Sequence, residues 1–362
     1  MPVFPLFLQD RFNLAGMALG IIVAAYTASA IMTRPPTGFL LDRFGRKIIY
    51  LPAYGVFALV YFFYPMTVGP VSVGLVRLFH GALWGVAMGA AATAAVDLLP
   101  EQRRGEGIGY FGLGMILSMA AGPTAGISLA EAYGFDFLFH ASAFLTLGGF
   151  LLACFLPFPT IPKRMQPFSP LALLEPTSIP TSLAVVIFCI PYGAIMNYTS
   201  LFARTIPGAL AGIFFLCLAV GTALTRLFAG RIFDKAGPGP IMNAAYALLL
   251  LGCALNVVAV KPIFFYAAGL CLGMGYGIAV PVIQAMVNAL VPPERRGAAN
   301  ATMMTAFDLG ICIGLVFLSS FQVIFGWPTT FVLLVGCMVC SWWVFNHRAM
   351  PAYKMSMDRQ PS

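Results

Sequence analysis

The chain has 362 residues, 60% of them hydrophobic and only 9% charged, with a formal net charge of +8. A water-soluble domain is about half apolar and about a quarter charged, so this chain cannot keep a solvated surface, and its solvent is lipid. Apolar runs of about twenty residues call for helices and exclude the short alternating strands of a membrane barrel.

An apolar stub, MPVFPLFL, opens the sequence. Spans are predicted near 14–36, 48–66, 71–97, 107–129 and 137–157. A stretch with six prolines, 158–180, follows; proline lacks a backbone donor and resists helix continuation, so it reads as a linker. Further spans are predicted near 181–203, 208–229, 240–260, 262–289, 298–323 and 328–347, and a tail over 348–362. That makes eleven full spans plus a stub.

The charged joints alternate. One set holds Arg43, Arg46, Lys47, Arg103, Arg104, Lys163, Arg164, Arg231, Lys235, Arg295, Arg296, Arg348, Lys354 and Arg359; the other holds only Arg11, Arg204 and Lys261. Cytoplasmic loops retain Lys and Arg, so the first set, with the linker and the C-terminus, is expected inside a plasma (bacterial inner) membrane. The positive charge is then topology and headgroup contact, not a nucleic-acid surface. The remaining basic residues, Arg34, Arg77 and Arg226, lie at span ends or within spans.

The chain also repeats itself. Residues RPPTGFLLDRFG from Arg34 align with RLFAGRIFDKAG from Arg226, pairing Gly38 with Gly230, Asp42 with Asp234 and Gly45 with Gly237. The same offset of 192 pairs Gly81 and Gly85 with Gly273 and Gly277, Arg103-Arg104-Gly105 with Arg295-Arg296-Gly297, and Gly122 with Gly314. One gapless offset recovers turns, packing glycines and charges together, so the chain is two copies of a six-helix unit. An even helix count makes the copies parallel. The expected organisation is a first bundle over 1–157 with its first helix incomplete, a linker over 158–180, a second bundle over 181–347 and a tail over 348–362.

The eight cysteines fall in or at the ends of apolar runs, without a disulfide framework or a metal-ligand cluster. There is no G-x-x-x-x-G-K-[ST] loop and no nucleophile–His–acid set, and only three histidines. Neither an enzyme nor a cofactor is expected, so any uphill work must draw on an ion gradient.

Two parallel six-helix repeats around a cytoplasmic linker resemble the major facilitator superfamily of secondary transporters. The family's signature, G-x-L-x-D-R-x-G-R-[RK], is matched by Gly38, Leu40, Asp42, Arg43, Gly45, Arg46 and Lys47. A weaker copy follows at Gly230, Asp234 and Gly237, the fourth-helix R-x-x-x-G at Arg77 and Gly81, and the fifth-helix G-P-x-x-G at Gly122, Pro123 and Gly126. Ser118 stands where the longer fifth-helix form has glycine. The resemblance implies transport of a small-molecule solute by one chain in the bilayer, and the fifth-helix pattern, associated with antiporters, leans it towards export. It also implies a latch, with Asp42 facing the start of the eleventh helix. Arg46 has a candidate partner in Asp97.

Only Arg77 and Asp308 are acids or bases placed well within spans, with His80 a titratable neighbour at i+3. A charge at mid-bilayer costs about 2.5–3.5 kcal/mol on insertion scales, which makes all three proton or substrate candidates. Asp308 suits a proton carrier, or else a structural carboxyl satisfied by Thr27. Arg77 suits an anionic substrate group or a structural contact. In this fold the first, fourth, seventh and tenth helices line the cavity, which puts Trp84, Tyr192, Asn197, Tyr198, Tyr276, Gln284 and Asn288 there. Proton-coupled antiport leads; a symporter or uniporter for uptake, and a non-transporting receptor or partner subunit, stay open. The offset also maps Met1 onto Gly193, about twelve residues inside the seventh helix, so the natural first helix is expected to begin upstream.

Overall fold

The computed structural model describes residues 3–98, 104–158, 175–291 and 296–357. Regular structure among them is helical throughout. The first half holds α1 (Val3–Phe12), α2 (Gly16–Phe44), α3 (Arg46–Val60), α4 (Pro70–Leu98) and α5 (Arg104–Cys154). The second holds α6 (Ile179–Ala203), α7 (Ala211–Ala236), α8 (Pro238–Val257), α9 (Pro262–Ala289) and α10 (Arg296–Val344). Eight of the described helices are long and apolar enough to cross a membrane.

Corners are set by glycine. The described glycines with positive φ are Gly16, Gly45, Gly134, Gly208, Gly237 and Gly326, at 57°, 93°, 84°, 74°, 72° and 76°. They form three pairs at the 192-residue offset. An L side chain clashes in this region of backbone space and glycine does not. Gly134 and Gly326 interrupt α5 and α10, dividing each into two helical segments; no loop residues separate the segments, so a single glycine makes each bend.

The repeat extends to packing. A Cβ on Gly81 would collide with the Tyr26 carbonyl, and one on Gly273 with the Leu218 carbonyl. Gly85 approaches Ala30 and Thr33 in the same way, and Gly277 approaches Thr222 and Thr225. Thr33 donates to the Ala82 carbonyl at 3.0 Å and Thr225 to the Met274 carbonyl at 3.1 Å. Small residues that let helix backbones touch, with hydroxyls bridging them, are the means of helix association in lipid. They hold α2 to α4 and α7 to α9 alike.

Two elements run further than the sequence spans. The span read as 14–36 continues past Pro35-Pro36 as α2 to Phe44, since prolines are tolerated in membrane helices where neighbours satisfy the freed backbone groups. The tail is helical as far as described: a π-helical turn, Phe345–Ala349, leads into α11 (Met350–Met357). Among the described residues, a Cβ on Gly122 would meet nothing within 4 Å. The halves touch two residues on, where Thr124 donates to the Gly212 carbonyl at 3.1 Å. Gly126 does pack, with α1 through Val3. Pro123 is buried.

The stub α1 buries Phe4, Phe7 and Leu8 in the first half, edge-on to Tyr64 and Phe139. Its polar end joins both halves. Arg11 donates to Asp136 at 2.5 Å and to the Pro65 carbonyl at 2.9 Å, while both oxygens of Asp10 accept from Arg204 at 2.7 and 2.8 Å.

Candidate functional site

Helices α2 and α10 cross between the halves. At the α1 end a Cβ on Gly20 would strike Ser319 and the Leu315 carbonyl, and Cys312 lies 3.9 Å from the Ala24 carbonyl. Further along, Arg34 of α2 donates from Nη1 to Asp308 Oδ2 on α10, forming an ion pair. Asp308 is buried, and Arg34 is more open. Counting along the helices, Arg34 lies about 27 Å from Gly16 and Asp308 about 18 Å from Arg296. The carboxyl's partner is therefore Arg34 and not Thr27. The sequence put Arg34 near the end of a span read as 14–36, and α2 runs on past it to Phe44.

Arg77 and His80 are held apart from this pair. The Arg77 guanidinium lies 4.1 Å from the Phe4 ring centre and 4.6 Å from that of Tyr26, and donates to the Val23 carbonyl at 2.9 Å. It ties α4 to α1 and α2. His80 sits among Phe57, Tyr61, Tyr26 and Tyr64, with ring centres 4.2 to 5.6 Å away, and its Nδ1 is hydrogen-bonded to the Tyr64 hydroxyl at 2.9 Å. Both side chains are buried inside the first half. Trp84 packs on Phe57 at 5.6 Å, beside this cluster.

Of the latch residues, Gly45 forms the corner between α2 and α3, and Gly237 the equivalent corner between α7 and α8. Arg46 donates to the Leu41 carbonyl at 2.9 Å across the first of these corners, and Arg43 lies 5.5 Å from the Phe44 ring. The side chains of Asp42, Asp97 and Asp234, and the surroundings of Gly38 and Gly230, fall outside those described.

The remaining polar residues divide by what they touch. Tyr198 donates to the Leu315 carbonyl at 2.7 Å, joining α6 to α10. Asn197 donates to Gly193 in its own helix at 2.9 Å. Asn288 accepts from Asn300 at 2.6 Å, joining α9 to α10. Gln284 is exposed. Tyr192 of α6 packs edge-on to Tyr276 at 4.8 Å and lies 5.3 Å from Phe307. A small crevice, about 30 Å³, at the α1 end runs between the halves past Leu19, Tyr198, Ser319 and Trp327; Asp308 does not line it. Among the described residues no group of three or more His, Cys, Asp or Glu is gathered for a metal ion.

Comparison with known proteins agrees with this architecture. Over 97% of its length the chain is 23% identical to 91% of the multidrug resistance protein MdtG of Escherichia coli. Over 82% of its length it is 21% identical to 78% of the staphylopine export protein of Staphylococcus aureus. A crystal structure of a mutant of the nucleoside transporter NupG superposes with a TM-score of 0.81 at 15% identity, covering 95% of this chain and 94% of that one. The human organic anion transporter MFSD10 superposes with a TM-score of 0.70 at 19% identity, covering 90% and 84%. The sequence profile of the Major Facilitator Superfamily matches residues 1–208 and 181–355. With its repeated helix corners and its full-length relatives, the chain belongs to the Major Facilitator Superfamily, as a multi-pass membrane transporter.

Proposed function

We propose that this transporter exports a small solute in exchange for protons, by alternating access. The observation that carries the reading is the Arg34–Asp308 ion pair, a buried carboxylate joining α2 of one half to α10 of the other. Protonation removes the carboxylate's charge and with it the reason for the two helices to stay together there. Removing one partner from a buried pair costs about 3–5 kcal/mol. That is the order of the ~5.5 kcal/mol needed to turn a two-state equilibrium from 1:99 to 99:1. One proton crossing 100 mV releases about 2.3 kcal/mol, so a few protons per cycle suffice to drive it.

The charge distribution supports reading the α1 end as outside. The contacts Asp10–Arg204, Gly20–Ser319 and Ala24–Cys312 then describe a form closed to the outside. The export-type relatives support the direction.

The test uses inverted membrane vesicles energised to an acid interior, with acridine orange reporting proton movement as amphipathic solutes are added. The wild type is expected to release protons on addition of a transported solute. Asp308→Asn, which keeps the side chain's shape but cannot carry a proton, is expected to release none. Proton release undiminished in Asp308→Asn would sink the carrier role. Proton uptake together with the solute would assign the protein to symport instead.

A further inference from the structure

We infer that the end of α10 remote from α1 is a binding site for the phosphate headgroup of an anionic phospholipid, formed by His347 and Arg348 with Trp342 and Trp343 beside them. The Gly326 corner, where the last segment of α10 begins, lies at the α1 end, because Trp327 lines the crevice there with Gln9 and Gly16. From Trp327 the helix runs on to Val344. At about 1.5 Å per residue, Trp343 is about 24 Å along it and His347 about 30 Å. The hydrocarbon core of a bilayer is about 30 Å thick, so these residues arrive at its far boundary. Helix α11 carries on past it, with Lys354 about 40 Å from Trp327.

The residues at that level are arranged to suit a headgroup. Trp342 and Trp343 are 39% and 50% exposed, and tryptophan favours the boundary between acyl chains and headgroups. Both rings are fixed. The Trp342 indole N–H donates to Asn243 of α8 at 2.7 Å, and the same oxygen accepts from Asn346 at 3.0 Å. The Trp343 ring stacks on His347 with centres 4.8 Å apart, and His347 Nδ1 donates to the Trp343 carbonyl at 3.0 Å. That bond occupies Nδ1, so Nε2 of this exposed ring is the nitrogen that can meet a phosphate oxygen. The backbone changes here too: Phe345–Ala349 is a π-helical turn, a rare form found frequently at functional sites. It carries His347 and Arg348, both exposed. From Phe345 to Met357 the sequence has no acid, and His347, Arg348 and Lys354 supply its charge. A guanidinium matches two N–H donors to phosphate oxygens, and basic residues at a membrane surface attract anionic lipid. A phosphodiester at this depth, with its acyl chains along Trp343, meets both the charge and the apolar wall.

The probe is phosphatidylglycerol brominated in its acyl chains near the headgroup, with brominated phosphatidylcholine as the neutral reference. Each is added at the same minor fraction to phosphatidylcholine nanodiscs holding the full chain. Trp327 is replaced by Phe, so that Trp342 and Trp343 report on this end of the molecule. One basic residue near the surface enriches an anionic lipid about fivefold. Brominated phosphatidylglycerol is therefore expected to quench these tryptophans as strongly as about fivefold more brominated phosphatidylcholine. Arg348→Gln is expected to remove most of that excess. Lys261→Gln, which removes a charge just before α9 at the α1 end, is expected to leave it intact. An excess that is absent from the starting protein, retained in full by Arg348→Gln, or lost equally in Lys261→Gln overturns the inference. A further measurement needs no substitution at the site: high salt screens surface charge and is expected to abolish the excess, and an excess indifferent to salt overturns the inference even if Arg348→Gln does not fold. Soluble glycerol 3-phosphate separates the two sources of a phosphate group. It is expected to leave the excess unchanged, and displacement of the lipid by it would assign the site to a solute and overturn the lipid assignment.

Discussion

Arg77 shows how rings and a backbone carbonyl help to hold a cation in an apolar interior. Its guanidinium lies between two rings and donates to a helix carbonyl, so its role is to hold α1 in place. Arg77→Lys is expected to lower the melting temperature, since a desolvated cation–π contact contributes about 2 kcal/mol or more and depends on the flat guanidinium. Release of α1 should make its residues accessible to protease, while the proton dependence of any flux is unchanged; an altered pH profile would instead place Arg77 in the coupling machinery. Sequence reasoning found Arg77 and Asp308 because charge in a bilayer is expensive. It did not find their partners. A helical-face argument pointed to Thr27, which cannot reach as far as arginine, and Arg34 stood near the end of a span read as 14–36.

Glycines decide which helices touch. Those that pair at the repeat offset and meet a carbonyl, such as Gly81 and Gly273, have no room for a side chain. Gly273→Val is expected to abolish accumulation of folded protein in the membrane, read as loss of the monodisperse peak in size-exclusion chromatography, because backbone cannot give way as a flexible side chain can. Gly122→Ala, at an open position, is expected to change stability by no more than about 0.5 kcal/mol. A reversed order of severity would mean that α5 packs through Gly122 after all. Element existence was legible because apolar runs and the repeat offset agree. Element ends were less so: the span read as 14–36 continues as α2 to Phe44, and the stretch read as a tail stays helical to Met357. Surrounding helices, which local residues do not reveal, help to decide where a membrane helix ends.

At the scale of the whole molecule, the two halves are clasped at the α1 end by Asp10 and Arg204. The hydrogen bond from Arg204 holds the Asp10 carboxyl below its ordinary value of 3.8. The clasp's contribution is therefore fully present above that value and is lost as pH falls through the lowered one. Both groups are well exposed, so it contributes only about 0.2–1 kcal/mol. The difference in melting temperature between wild type and Asp10→Asn is expected to stay constant from neutral pH down to about 5 and to vanish only in stronger acid; a difference that grows with acid would rule out this pair as its source. Orientation is tested separately. Fourteen of the seventeen Lys and Arg residues at the joints lie on one side in the topology read from the sequence, so a C-terminal alkaline phosphatase fusion is expected to be inactive and a fluorescent-protein fusion bright. The opposite pattern would turn the molecule over and place the α1 end inside.

The corner glycines also act as a ruler. From Gly16 to Gly45 and from Gly208 to Gly237 the interval is 29 residues, and from Gly45 to Gly134 and from Gly237 to Gly326 it is 89. A helix turns about 100° per residue. Deleting one residue within a helix would rotate every side chain between the cut and the next corner by that angle, turning Arg34 from Asp308 or Gly273 from Leu218. Natural variation in length should therefore collect outside the helices, while inside them the two halves stay bound to a common residue count even where their side chains have diverged.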